Sequence, residues 1–125
     1  MASAPQYTAT PKVGMGQVSV ANTTRDGSGT LATIFTAGAN GSRIETVSIK
    51  AVSSSTIGII SLYLFDGTNS RLLTEISVTA ITPSGTINSF ETGITLSIVI
   101  PTGYSLKAST YNAETYNIFA FGGDF

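Results

Sequence analysis

Chemistry in this 125-residue chain would have to start from its seven carboxylates: Asp26, Glu45, Asp66, Glu75, Glu91, Glu114 and Asp124. Two carboxylates act as acid and nucleophile, or acid and base, when a fold holds them at a defined separation. Here they are scattered singly, and each reads as a solvated strand-face or turn residue. The sequence contains no His, Cys or Trp. That removes the usual general base, the thiol nucleophile, the disulfide and the His/Cys zinc site. Gly14-Met15-Gly16 and Asp26-Gly27-Ser28-Gly29 lack the strand–loop–helix setting of a phosphate cradle. No Ser is framed as a nucleophile elbow. The expectation is a protein without enzyme activity and without a cofactor.

Two further candidates are binding residues. Calcium takes oxygen ligands, and Asp66-Gly67-Thr68-Asn69-Ser70 offers carboxylate, amide and hydroxyl oxygens in one short stretch. It does not match an EF-hand loop. Asp66 is therefore the single metal candidate, with a plain turn as the preferred reading. Tyrosines stack on sugars. Tyr104 and Tyr116 fall on core faces, which leaves Tyr111, in the turn Tyr111-Asn112-Ala113, as the exposed candidate for a glycan ligand.

The elements that must position these residues are strands. Ser and Thr make up more than a quarter of the chain, and with β-branched and Gly residues they favour strands and turns. Apolar runs recur at a spacing of roughly 8–12 residues, separated by turn clusters, as in sandwiches and barrels. The runs are 16–21, 30–37, 43–52, 57–65, 71–80, 94–100, 104–109 and 114–121, with 86–90 either a short strand or a loop. Ile94, Leu96, Ile98 and Ile100 alternate cleanly with polar neighbours, and Asp66-Gly67 is a strong hairpin signal. The predicted fold is all-β: an antiparallel, jelly-roll-like β-sandwich of about eight strands over residues 15–125, preceded by an extended N-terminal arm over residues 1–14.

Charge restricts the partners. Lys plus Arg is 6, the net charge is -1, and only 10% of residues are charged, against about 25% in an average soluble domain. There is no electrostatic footprint for nucleic acid. No apolar run approaches the roughly 18 residues of a membrane helix, and Met1-Ala2-Ser3-Ala4-Pro5 carries no signal-peptide pattern. Neither nucleic acid nor membrane is an expected partner.

Two strands are apolar on both faces. Tyr63 and Phe65 lie opposite Ile60, Leu62 and Leu64. Phe119 and Phe121 lie opposite Tyr116, Ile118 and Ala120, and Phe125 follows. The second face needs a cover, either the chain's own arm or loop, or another subunit. Exposed apolar patches mark association. The candidate interface is therefore the arm residues Pro5, Tyr7, Pro11 and Val13 with the outer aromatic residues Tyr63, Phe65, Phe119, Phe121 and Phe125.

Three phrases carry a resemblance: Leu62-Tyr63-Leu64-Phe65-Asp66-Gly67-Thr68-Asn69, then Pro101-Thr102-Gly103-Tyr104-Ser105-Leu106-Lys107-Ala108-Ser109-Thr110, and the ending Phe119-Ala120-Phe121-Gly122-Gly123-Asp124-Phe125. Over roughly its C-terminal half the chain resembles small structural proteins of tailed-bacteriophage virions. The resemblance implies a non-enzymatic particle component of the capsid decoration, auxiliary or cement type. Its partners would be the major capsid protein or other virion proteins. It implies a homo-oligomer, with a trimer one arrangement, made in the host bacterial cytoplasm and placed on the capsid surface of the virion. The alternative is a carbohydrate-binding, host-adhesion β-sandwich module of a tail or head fibre, using Tyr111 and calcium near Asp66.

Overall fold

The computed structural model describes residues 7–125, and among them every regular element is a strand. In chain order these are β1 (Thr10–Val18), β2 (Ala32–Thr36), β3 (Ser42–Ala51), β4 (Gly58–Phe65), β5 (Ser70–Val78), β6 (Glu91–Ile100), β7 (Ser105–Thr110) and β8 (Tyr116–Asp124). The first sheet runs β1-β8-β3-β6 and the second β2-β7-β4-β5. All ladders are antiparallel: β1 pairs with β8, β2 with β7, β3 with β6 and β4 with β5. That is the pairing of one long hairpin folded at the β4–β5 turn. Rolling the hairpin on itself adds β3 against β8 and β4 against β7. The result is a jelly roll, two four-stranded sheets packed face to face.

The core fills from the inward residues of both sheets. Ile44, Val47 and Ile49 of β3 and Ile118 and Ala120 of β8 meet Ile60 and Leu62 of β4 and Leu106 and Ala108 of β7. Each large side chain so buried contributes about 1.5–3 kcal/mol. A bulge between Ile44 and Thr46 resets the alternation of β3, so that Val47 rather than Thr46 faces inward. Phe90, in the loop before β6, meets the Tyr116 ring edge-on at 6.5 Å and closes one end of the core. Residues 86–89 form no strand.

The start of the domain differs from the expectation. The sequence pattern predicts the first strand at 16–21, with an arm before residue 15. Instead β1 begins at Thr10 and pairs residue by residue with β8, from Thr10↔Asp124 to Val18↔Tyr116. Pro11 and Val13 are therefore residues of the sheet. The alternation of β1 is hidden because its inward positions include glycines. A Cβ on Gly14 would stand 2.2 Å from the Ile34 carbonyl oxygen, so only glycine lets β1 cross β2 this closely. Pro5 lies outside the described residues.

Candidate functional site

The register of the first sheet sets out its outer face in rows. Val13, Phe121 and Thr46 form one row, and Met15, Phe119 and Ser48 the next. Beside the small residues of β3, Val13, Met15 and Phe121 are exposed and Phe119 is half-buried among the described residues. Met15 is 68% exposed, Val13 55% and Phe121 40%. The Phe119 and Phe121 rings stack at 6.4 Å and 18°. The rim is polar. At one end Gln17 Nε2 donates to Asn117 Oδ1 at 2.8 Å, and Lys50 pairs with Glu91 at 3.4 Å. At the other end Arg43 pairs with Glu45. Tyr7, Thr8, Arg43 and Phe121 line a shallow depression there. Apolar centre and polar rim are the anatomy of an association surface.

The second sheet treats its outer face differently. Tyr63, expected on a bare aromatic face, is completely buried. Its hydroxyl donates to the Thr24 carbonyl at 2.9 Å. The segment between β1 and β2 covers it, held in shape by Asn22. That side chain donates to the Ser28 and Thr30 carbonyls at 2.9 and 3.1 Å and accepts from the Thr24 amide and hydroxyl at 3.1 and 2.7 Å. Phe65 is half-buried, with the Lys107 ammonium 3.9 Å over its ring. The four aromatics expected on one surface thus divide between opposite sides of the sandwich. Phe119 and Phe121 join Val13, while Tyr63 and Phe65 belong to the covered side. Phe125 sits half-buried at the sandwich end, its amide donating to Gly41 O at 3.2 Å. Pro11 is exposed on the edge strand beside this face.

The carboxylates do not converge; each is engaged by its own neighbours. Asp66 Oδ1 accepts from the Asn69 amide at 2.7 Å and the Thr68 amide at 2.9 Å. These bonds hold its carboxyl below the usual range and tie it into the hairpin turn. Asp26 does the same for its loop through the Ser28 hydroxyl and amide. Asp124 accepts from the Ser42 hydroxyl at 2.5 Å and pairs with Lys12 at 3.3 Å, and the Ser42 bond leads in holding its carboxyl low. Burial pushes Glu114 up, but hydrogen bonds from Tyr116 and Thr56 outweigh it and leave the carboxyl lowered. Burial and the Glu114 bond together raise the Tyr116 hydroxyl. Among the described residues no three acidic side chains come together to hold a metal ion. Tyr111 is 47% exposed beside the Arg25–Glu75 pair, but the cavity there holds only about 10 Å³, room for a single water.

Met15 is the exposed apolar residue of this face that sequence reasoning missed. Its signal is Val13-Gly14-Met15-Gly16-Gln17, a period of two in which glycine occupies the inner positions.

No protein-family model and no curated protein matches the chain. Among solved structures, it is similar to a pentameric capsid protein from metagenomic phage sequences, at 17% identity and a TM-score of 0.37 over 88% of this chain and 59% of that one. It is similar to a chain of the cyanophage Pam1 capsid asymmetric unit, at 14% identity and a TM-score of 0.39 over 98% and 93%. A structure of the Gt strain of infectious bursal disease virus follows, at 14% identity and 0.36 over 98% of this chain and 34% of that one. The chain spans about three fifths of the length of the metagenomic phage capsid chains.

Proposed function

We propose that this chain is a non-enzymatic structural protein of a bacteriophage virion that decorates or cements the capsid surface. The observation that carries the reading is the bare apolar face of β1 and β8, with Val13, Met15, Phe119 and Phe121 at its centre. The phrases Leu62–Asn69, Pro101–Thr110 and Phe119–Phe125 supply the resemblance to virion proteins. The occupant of the face is the major capsid protein, another virion protein or a second copy of the chain. On a repeating lattice, modest contacts made many times add up to firm attachment.

The test is the copy number of this chain in purified particles, relative to the most abundant shell protein. Hundreds of copies in a simple ratio support a place on the capsid surface. A dozen or fewer overturn decoration and move the protein to a tail, neck or vertex. Absence from particles overturns the virion reading itself. A Met15→Glu/Phe121→Glu variant that still folds is expected to lose particle binding. Undiminished binding would remove the face from the proposal.

A further inference from the structure

The chain has six cationic side chains. Four are ion-paired: Lys12 with Asp124, Arg25 with Glu75, Arg43 with Glu45 and Lys50 with Glu91. Arg71 and Lys107 have no ion-pair partner among the described residues, and both line one cleft of about 450 Å³. The cleft lies on the covered side of the molecule, away from the apolar face of β1 and β8. Its size falls within the range of small-ligand pockets, roughly 300–1,000 Å³.

The cleft is built by a close approach. Gly27, at φ +89°, presses against the start of β5, and a Cβ there would stand 2.1 Å from the Ser70 carbonyl oxygen. Only glycine permits that contact. Phe65 contributes an aromatic surface, with Lys107 drawn over its ring. Asp26 and Asn69 add an acceptor carboxylate and a side-chain amide to the lining. Asp26 already accepts two bonds from Ser28, through Oδ1 alone.

This mixture selects among ligand classes. A cation would meet Arg71 and Lys107. A bare inorganic anion needs donors only and would be opposed by Asp26. A neutral sugar gives no use to two cations that lack an ion pair. A sugar unit with one carboxylate and several hydroxyls uses every group. Its carboxylate takes charge-assisted bonds from Arg71 and Lys107, and its hydroxyls bond Asp26 and Asn69, which accept and donate. We propose that this cleft binds an acidic glycan through a uronate unit.

The full chain is titrated, by calorimetry and by amide NMR, with a hyaluronan hexasaccharide and an oligogalacturonate. Chitohexaose is the neutral comparison and polyglutamate the acidic-peptide comparison. The expected result is saturable binding of a uronate oligomer, with shifts at Gly27, Asn69 and Lys107. Without the charge-assisted bonds to a carboxylate, chitohexaose should bind at least about tenfold more weakly. Arg71→Gln and Lys107→Gln, each checked for a native amide spectrum, should each lose about tenfold. Silence with both uronate oligomers overturns the proposal, as does equal binding of chitohexaose. Unchanged affinity in Arg71→Gln overturns it even where Lys107→Gln does not fold. Polyglutamate binding as tightly would assign the cleft to an acidic peptide instead. The measurement uses the isolated chain, so its outcome is independent of any role in particles.

Discussion

The outer faces of the two sheets carry aromatic residues of similar size and meet opposite fates. On the second sheet Tyr63 is buried under the chain's own segment between β1 and β2, and its hydroxyl is satisfied by Thr24. On the first sheet Phe121, Met15 and Val13 stay in solvent. A jelly roll needs only its inner faces to form a core, so neither outer face had to be apolar. Where the chain required a cover it built one from polar side chains, with Asn22 alone bonding to three residues of the covering loop. Among the described residues the outer face of the first sheet has no such device.

That contrast breaks most readily at Tyr63. Tyr63→Ala should cost about 3–5 kcal/mol, as large aromatic truncations in a core do, and the loss is measured by urea unfolding. A cost near zero would mean that the loop does not truly cover the second sheet. Tyr63→Phe keeps the ring and removes only the bond to Thr24. It should cost about 1 kcal/mol and speed amide exchange across residues 22–30.

Acid should weaken the first sheet. Asp124 ties the end of β8 to Lys12 of β1 and Ser42 of β3, and its carboxyl is held below the ordinary value. A lowered native pKa means that the stabilisation is present above the unfolded value. It is lost as pH falls below about 4 and on through the native value. Tm should therefore drop on acidification through this window, and Asp124→Asn should drop less from its own neutral value. Equal drops would show that the tether carries no linkage. The smallest effect on stability belongs to Met15→Ser, expected within about 0.5 kcal/mol of the parent. A larger loss would make Met15 a packing residue and undo the contrast between the faces.

Strands were the legible part. The alternation of Ile94 to Ile100 and the Asp66-Gly67 turn are local features, and β6 and the β4–β5 hairpin form where they predict. The start of β1 was not legible, because Gly14 and Gly16 carry no hydropathy signal and Gly14 is required by the backbone of β2, a segment distant in sequence. The candidate face was half legible. Periodicity points to Phe119 and Phe121, and Val13 enters only as a residue of the expected arm, whereas Phe65 and Tyr63 fall on the same predicted surface because a sequence does not say which sheet a strand joins. The cleft of Arg71 and Lys107 was not legible at all, since a lack of ion-pair partners is a fact of placement.

By itself, then, the sequence determined an all-β chain of about eight strands with two of them apolar on both faces, because the period of two is written residue by residue. Only the tertiary structure decided which apolar face stays bare. That choice rests on contacts such as Tyr63 with Thr24, 39 positions apart, and on which strands the rolled hairpin brings side by side. Neither is encoded in any local pattern of residues.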